Sequence, residues 1–252
     1  MESLNQILQT FGSISLSEMD SVKLMNRTDT KFLLTIQQLE SILKEVQSHY
    51  RVLLIEGRAL NSYETLYYDT EDFLFYRRHH SGKKNRYKIR KRKYVESNLT
   101  FLEVKFKTNK DRTIKDRTKL QSIDETLLQS ELDFIENETH LDLNFEPKLW
   151  NSFHRITFVS LEIPERITID LDLKFKNNER EIFWQSVVIA EVKQERQNRH
   201  SPFMMALKKR LIRQESVSKY SLGAAMLYPE LKSNSFKSKI LKLRKLNDGM
   251  VA

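Results

Sequence analysis

The sequence predicts an α+β fold dominated by an antiparallel β-sheet that closes into an eight-stranded barrel. Segment after segment alternates with period two, placing apolar residues on one face and charges of both signs on the other. Only 5 glycines occur in 252 residues, which is few for a sheet with many tight turns. For any single strand, an open sheet with one wet face is the ordinary alternative. So many strands of this kind favour a barrel with charged faces inward and helices covering the apolar outside.

The strands are predicted from alternation and from their content of β-branched and aromatic residues. In Phe101–Lys107 (FLEVKFK) the apolar side chains from Leu102 to Phe106 share one face, and the charged ones share the other. In Arg166–Lys174 (RITIDLDLK) the predicted apolar face runs from Ile167 to Leu173. The other predicted strands are Lys31–Thr35, Arg51–Glu56, Tyr63–Thr70, Arg86–Arg92, Arg112–Leu120, Phe153–Ser160 and Ser186–Gln194.

Helical segments are fewer. Gln37–Tyr50 is amphipathic, Glu71–His79 is short, and Glu125–Leu141 has a helical pattern. Pro202–Arg213 begins with a proline at the position where helices tolerate it best.

Composition limits the domain organisation and the location. We expect a single domain over residues 1–230, followed by a basic tail over residues 231–252 that is solvated or weakly amphipathic. Cysteine is absent, which removes disulfides, thiolate metal sites and thiol nucleophiles. No secretory leader pattern and no run of about 20 apolar residues is visible, so a cytoplasmic protein without a membrane span is expected. For the tail, binding a polyanionic product or anionic lipid is the lesser alternative.

The excess of positive charge is local. Arg77–Lys93 contains ten Lys or Arg residues and no Asp or Glu, whereas the rest of the chain is close to neutral. Within it, Arg86, Lys88, Arg90 and Arg92 fall on one parity, so a strand places all four on one face. A row of like charges is unfavourable unless an anion lies in front of it.

The other strands add both cations and acids to the predicted interior. Arginine binds phosphate oxygens in bidentate fashion, and lysine supplies a movable point charge. Acidic residues among these cations would oppose the binding of an anion. They are explained if they hold a hard divalent cation that bridges phosphates. The tripeptide Glu-Val-Lys occurs at Glu103 and again at Glu191, although cross-strand ion pairs also produce this pattern.

An ordered series of short motifs resembles the VTC (vacuolar transporter chaperone) polyphosphate polymerase domain, a member of the triphosphate tunnel superfamily. The resemblance covers about Ile14 to Leu227. The motifs are Met25–Phe32 (MNRTDTKF), Tyr63–Asp69 (YETLYYD), Tyr87–Arg92 (YKIRKR), Glu103–Lys105, Lys115–Arg117, Arg155, Arg166–Asp172, Ala190–Lys193 and Ser218–Ser221.

The resemblance implies roles for particular residues. The cations implied to line the tunnel and act on the phosphates are Lys31, Arg90, Arg92, Lys105, Arg155, Arg166 and Lys219. Those expected to bind substrate around them are Lys88, Lys115, Arg117, Lys193 and Ser218. Glu191 is implied to hold a catalytic Mn²⁺ or Mg²⁺ ion. Where the wider superfamily often has alternating glutamates before the first lysine, this chain has only Asp29, so metal binding depends more on Glu191.

The implied activity is a metal-dependent transfer of the ATP γ-phosphoryl group to a growing inorganic polyphosphate chain, with release of ADP. Two alternatives stay open at the level of sequence. In the first, water replaces the phosphate acceptor and the protein is a triphosphatase. In the second, the chain is a non-catalytic binder of polyphosphate or RNA, although no RNA-binding motif is visible and no specific nucleic-acid partner is expected.

Overall fold

The computed structural model describes residues 2–19, 28–110 and 112–249. Residues 25–27 of the MNRTDTKF motif therefore lie outside the described part of the chain. The strands are β1 (Gly12–Ile14), β2 (Thr28–Thr35), β3 (Tyr50–Leu53), β4 (Asn61–Asp69), β5 (Arg86–Tyr94), β6 (Leu99–Lys107), β7 (Thr113–Leu120), β8 (Glu146–Ser160), β9 (Glu165–Lys176), β10 (Glu181–Trp184) and β11 (Val187–Gln194). The helices are α1 (Glu2–Gln9), α2 (Leu16–Met19), α3 (Ile36–Val46), α4 (Leu74–His80), α5 (Gln129–Thr139), α6 (Pro202–Lys209), α7 (Lys219–Leu227) and α8 (Lys237–Asn247).

Eight of the strands form one continuous antiparallel path in the order β2-β11-β9-β8-β4-β5-β6-β7. β3 and β10 add to its sides, and β1 pairs in parallel with β3. The predicted α+β fold with an eight-stranded antiparallel sheet is confirmed.

The path curves into a tunnel. In a flat sheet, β2 and β5 would lie about 24 Å apart, because five strand spacings of ~4.8 Å separate them. Lys31 of β2 nevertheless donates to the Val217 carbonyl oxygen at 3.1 Å, and Lys88 of β5 donates to the hydroxyl of the adjacent Ser218 at 3.0 Å. The inner faces of these two strands therefore approach the same dipeptide from opposite sides.

The tunnel is not closed by strand pairing alone. The described residues form no ladder between β2 and β7, so the predicted fully paired barrel is replaced by a sheet with a seam. The chain after α6 runs along the edge of β2: Gln214 forms a bridge with Phe32, and the Glu215 backbone N–H donates to the Lys31 carbonyl at 2.8 Å. This segment then delivers Val217 and Ser218 to the tunnel.

Alternation sorts side chains between the two faces of the wall. In β2, Phe32 and Leu34 join a buried apolar cluster with α1, α3 and α6 on the outside of the sheet. Lys31 and Leu33 point to the other face, where Leu33 belongs to a separate inner cluster. Helix α5 packs outside β5 and β6 through Ile135. Helices thus cover the apolar exterior, as predicted.

One predicted face is wrong. We expected Leu171 and Leu173 on the same side of β9, but Leu171 lies in the outer cluster and Leu173 in the inner one. The cause is Asp172, whose φ of 52° and associated register shift against β8 form a bulge. An inserted residue reverses the parity of everything that follows it.

The basic segment near the C-terminus is folded over much of its length. Ile240, Leu243 and Leu246 of α8 are buried in the inner cluster. Of the two expected forms, residues 237–247 take the amphipathic one rather than the solvated one, while the domain boundary at residue 230 stays a prediction. No helix within the described ranges has the length and apolar character that crossing a bilayer requires.

Candidate active site

The β5–β6 wall carries a buried arginine–glutamate pair. Arg90 donates through Nε to Glu103 at 2.7 Å and through a terminal nitrogen to the Tyr67 hydroxyl at 3.3 Å. Lys115 of β7 contacts the other oxygen of the same carboxylate. Burial raises the pKa of Glu103, but Arg90, Arg92 and Lys115 outweigh it, and the pKa lies well below its usual range. Glu103 is therefore ionised and already neutralised by protein cations.

Next to this pair, like charges face each other across the ladder. Lys88 on β5 is opposite Lys105 on β6, which is opposite Lys115 on β7. Burial and neighbouring cations lower the pKa of Lys88 to about 7 and that of Lys105 well below its usual value. Like charges directly opposite one another destabilise a sheet. The arrangement is favourable once an anion lies over the three ammonium groups.

The β8–β9 wall carries a second ion cluster around a buried aspartate. Arg155 binds both oxygens of Asp170, at 2.6 and 2.8 Å, and Lys219 of α7 contacts one of them. The Lys219 ammonium also lies 3.6 Å from the centre of the Phe153 ring. Burial raises the pKa of Asp170, but the two cations lower it further, so the carboxylate is ionised. Arg155 and Lys219 are thereby held in fixed positions in the tunnel.

Arg92 lies between the two ion clusters and has no carboxylate within ion-pair distance among the described residues. It is only 6% exposed. Its Nε donates to Thr65 Oγ1 at 3.1 Å, and its guanidinium lies 5.6 Å from the rings of Tyr63 and Phe153. Burial first, and then Arg90 and Arg155, lower its pKa. A desolvated arginine without a counter-ion is a natural partner for a phosphate.

The N-terminus of α7 enters the tunnel at its centre. Ser218 caps the helix by accepting from the Ser221 backbone N–H at 3.3 Å. Its hydroxyl also receives the hydrogen bond from Lys88 and lies 3.1 Å from the Ser221 hydroxyl, which in turn contacts Nδ1 of His79. Burial, together with Lys88 and other cations, lowers the pKa of His79 to about 3, so this histidine is neutral and its Nδ1 ends the hydrogen-bonded chain.

A buried aspartate, Asp69, also fixes the position of α7. Asp69 accepts hydrogen bonds from the backbone N–H groups of Phe75 and Tyr76, both at 2.9 Å, and from the Tyr220 hydroxyl. Asp69 therefore connects α4 to α7 at Tyr220, the residue that follows Lys219. Phe175 and Leu149 pack against the face of α7 at Gly223, where a Cβ atom would come within 2.7 Å of Phe175.

The β2–β11 wall holds the predicted metal ligand. Glu191 is opposite Lys31 in the ladder and forms an ion pair with Lys193 at 2.7 Å. Lys193 also lies 3.4 Å from Asp29. Burial raises the pKa of Glu191, but Lys31 and Lys193 lower it further, so its carboxylate is ionised.

The remaining predicted residues lie nearer the rim. Arg166 shares a face of β9 with Asp170 and is opposite Lys193 in the ladder. Arg117 of β7 is exposed and lies 4.4 Å over the Phe101 ring, opposite Glu103. The structure thus brings most predicted site residues into one tunnel and places Arg117 at its open edge. Their catalytic and binding roles remain predictions.

The tunnel side chains alone do not make a complete divalent metal site, so a bound phosphate has to supply further metal ligands. The described residues contain no group of three or more His, Cys, Asp or Glu side chains arranged to hold a metal. Glu103 and Asp170 are each bound by two cations, whereas Glu191 forms an ion pair with Lys193. Mg²⁺-type ions are commonly held by one or two carboxylates together with substrate phosphates and water. Glu191 fits that pattern.

Sequence reasoning assigned no site role to several residues that shape the tunnel, although Tyr63, Tyr67, Asp69 and Ser221 lie within the motifs of the resemblance. Tyr63, Tyr67 and Phe153 form the aromatic wall beneath the arginines, and Asp69 and Ser221 organise α7. A signal was present for the aromatic wall, because Tyr63, Thr65 and Tyr67 share the inward parity of β4. No local pattern predicts how Asp69 connects α4 to α7, because its partners in these helices are 6 to 151 residues away along the chain.

Comparisons with known proteins agree with this geometry. The chain matches the VTC domain family over residues 26–228. No curated protein matches it. A candidate adenylate cyclase from Bacillus halodurans has a similar structure, with 14% identity, a TM-score of 0.50, and coverage of 77% of this chain and 96% of that one.

Two further solved structures are similar at lower scores. A candidate adenylate cyclase from Vibrio parahaemolyticus has 15% identity and a TM-score of 0.46, covering 77% of this chain and 96% of that one. A candidate adenylyl cyclase from Hippeastrum, described as having a dominant triphosphatase activity, has 12% identity and a TM-score of 0.48, covering 81% and 97%. The family match spans most of the sequence, and the sheet has the expected tunnel architecture. This chain therefore belongs to the VTC domain family and has the triphosphate tunnel fold.

Proposed function

We propose that the protein is a metal-dependent polyphosphate polymerase, which transfers the γ-phosphoryl group of ATP to the end of a growing inorganic polyphosphate chain and releases ADP. The observation that carries the proposal is the opposed row of Lys88, Lys105 and Lys115 beside the unpaired Arg92. Lys88, Lys105 and Arg92 are buried or half-buried, whereas Lys115 lies nearer the surface. Burial and neighbouring cations, Arg90 among them, lower the pKa values of all four. Such a site is stabilised by a ligand that brings several negative charges at once.

The balance of charge supports two phosphate-bearing substrates rather than one. The cations whose strand positions or contacts place them along the tunnel or at its rim are Lys31, Arg86, Lys88, Arg90, Arg92, Lys105, Lys107, Lys115, Arg117, Arg155, Arg166, Lys193 and Lys219. Among the described residues, the acids on the same strand faces are Asp29, Glu103, Asp170 and Glu191. The excess is greater than the charge of a single triphosphate, so a nucleotide and a polyphosphate acceptor can be neutralised together.

The tunnel residues act by binding and orientation. Phosphoryl transfer needs little covalent help from the protein and depends on alignment of the attacking and leaving oxygens and on charge neutralisation. Arg155 and Lys219, fixed by Asp170, and Arg90, fixed by Glu103, present donors whose positions do not have to be organised on binding. Lys31 and Lys88 approach from opposite sides of the tunnel, so that they hold the bound polyphosphate between them.

Glu191 is the residue we assign to a bound Mn²⁺ or Mg²⁺ ion, with phosphate oxygens and water completing its ligands. When bound, such an ion neutralises charge that develops on the phosphoryl oxygens. Lys193 has an alternative acidic partner in Asp29, so Glu191 can exchange its contact with Lys193 for the metal.

One assay separates the candidate functions. Purified protein is incubated with ATP and Mn²⁺, the products are separated on a polyphosphate-resolving gel, and tripolyphosphate hydrolysis is measured in parallel. Long chains with matching ADP release support the polymerase. Orthophosphate as the sole product overturns it in favour of a triphosphatase. Absence of turnover with salt-sensitive RNA binding overturns both enzymes in favour of a binder.

A further inference from the structure

Helix α8 presents an exposed face on which positive charges stand without acidic neighbours. The chain has no Asp or Glu between Glu230 and Asp248, whereas it has six Lys or Arg residues in that interval. Ile240, Leu243 and Leu246 anchor one side of the helix in the protein interior. The opposite side exposes Lys237, Leu241, Arg244 and Lys245.

Most of these cations are not engaged by the protein itself. Within the described ranges, Lys242 pairs with Glu215 at 3.0 Å, and no acid lies within ion-pair distance of Lys237, Arg244 or Lys245. A basic helix surface is often merely solvated. The exposed face of α8 differs from such a surface in its position close to the tunnel.

The segment that leads into α8 packs directly on the helix that borders the tunnel. The Phe236 ring lies 5.6 Å from both His79 and His80 of α4, and Tyr76 donates its hydroxyl hydrogen to the Lys232 carbonyl at 3.0 Å. His79 contacts Ser221, whose hydroxyl is bonded to that of Ser218. Ser218 receives the hydrogen bond from Lys88. The start of α8 is therefore connected to Lys88 through three side chains in succession, those of His79, Ser221 and Ser218.

Cations of the tunnel and of α8 also act on one shared histidine. Lys239 of α8 acts on His79 together with Lys88, Arg86 and Lys107, and these four cations add to the effect of burial in lowering the histidine pKa. Arg86 and Lys107 are opposite each other at the end of the β5–β6 ladder. Lys239 belongs to α8, which is about 16 Å long and also carries the exposed Lys237, Arg244 and Lys245.

We propose that the exposed face of α8 binds the part of a long inorganic polyphosphate chain that extends beyond the tunnel. This inference rests on the proposed function, because it assigns the segment outside the tunnel to the same polyanion that the tunnel holds. A flexible polyanion with regularly spaced charges can follow a row of separate lysines and arginines, as nucleic-acid backbones do. Tripolyphosphate is too short to occupy both places at once.

The test compares a triple variant of α8 with a matched control. Lys237→Glu, Arg244→Glu and Lys245→Glu are combined in the full chain. The control combines Lys44→Glu, Arg58→Glu and Lys208→Glu, which are exposed residues on or near helices of the outer cluster and give the same change in net charge. Each protein is titrated with long-chain polyphosphate, with tripolyphosphate, and with anionic phosphatidylserine vesicles at about 0.1 M salt.

The α8 triple is expected to lose affinity for long-chain polyphosphate by about tenfold or more, with a shallower dependence on salt. Its affinity for tripolyphosphate should be unchanged, and the control triple should lose much less for either ligand. Equal losses in the two triples, or none in the α8 triple, overturn the proposal. Loss of vesicle binding with unchanged polyphosphate binding also overturns it and assigns the face to a lipid surface. Failure of the proposed function is a separate result: with ATP and Mn²⁺, the unmodified protein would then form no polyphosphate chains.

Discussion

Lys88 on β5 donates a 3.0 Å hydrogen bond to Ser218, the residue that caps α7. Lys31 on β2 bonds to the preceding residue, Val217, from the opposite side. The two ends of the curved sheet are thus connected through the chain that follows α6, and the N-terminus of α7 is held among the tunnel cations. This relationship explains why a seam without strand pairing still yields a defined tunnel.

Substrate binding is expected to take up protons near pH 8. Burial and neighbouring cations lower the pKa of Lys88 and of Lys219 to about 7, so both are partly neutral above that pH. A bound polyanion favours their charged forms and raises both pKa values. Tripolyphosphate affinity should therefore fall as pH rises from 7 to 9. Calorimetry at pH 8 in buffers of different ionisation enthalpy should show net proton uptake.

The control for this titration is Lys88→Gln, which removes one of the two lysines. Its proton uptake at pH 8 should be smaller than that of the unmodified protein. Equal uptake in both proteins would assign the protons to other groups.

Asp170→Asn should destabilise the ligand-free protein. It removes the carboxylate that neutralises Arg155 and Lys219, and breaking a buried pair in this way costs about 3 kcal/mol. Added tripolyphosphate supplies the missing charge, so the difference in unfolding free energy between variant and unmodified protein should shrink with ligand.

The Asp170 effect should also depend on pH. Because the Asp170 pKa is lowered, the contribution of its carboxylate to the free energy of unfolding is present above pH ~4 and lost as pH falls through the folded-state pKa. Urea denaturation with and without ligand measures both effects, and a deficit that ligand leaves unchanged contradicts them.

Glu191→Gln should separate metal binding from phosphate binding. Loss of the carboxylate should weaken Mn²⁺ binding in the presence of tripolyphosphate about 10- to 100-fold and abolish turnover. Metal-free tripolyphosphate binding should be unchanged or tighter, because a negative charge leaves the tunnel. Asp29→Asn, which alters the other partner of Lys193, is the matched control. Manganese binding followed by electron paramagnetic resonance tests the assignment, which fails if the two variants bind the ion equally well.

The sequence predicted the fold and the inward row of cations because both follow from period two. Arg86 to Arg92 and Glu103 to Lys107 keep strict alternation, so their facing directions could be inferred directly. After Asp172 the alternation was misleading, because a bulge cannot be recognised from residue types alone. The helix Lys219–Leu227 was also missed. It is buried on nearly all sides and has little amphipathic pattern.

His79 is expected to act through Ser221 and Ser218 rather than by contact with phosphate. His79→Leu removes the final acceptor of the hydrogen-bonded chain and should weaken tripolyphosphate binding about fivefold, corresponding to one net hydrogen bond of ~1 kcal/mol. In a Ser218→Ala background the same substitution should have almost no effect, because the two residues act in series. His79→Asn retains an acceptor near Nδ1 and should restore binding. Additive losses in the double variant would contradict this role.

Gly223→Ala should displace α7 and so test whether the position of this helix controls the site. The new Cβ atom would come within 2.7 Å of Phe175 and 3.4 Å of Leu149, both fully buried, so the helix has to shift rather than the wall. Overpacking of this kind costs about 1–3 kcal/mol. A shift of α7 moves Ser218 and Lys219 away from Lys88 and Asp170, so turnover should fall by more than the loss of folded protein explains.

Gly12→Ala is the control, because its Cβ would meet only the flexible Arg51 side chain at 3.4 Å. Turnover per folded molecule, with folding measured by circular dichroism, should be lost in the first variant and retained in the second. Equal turnover in both would show that the tunnel tolerates movement of α7.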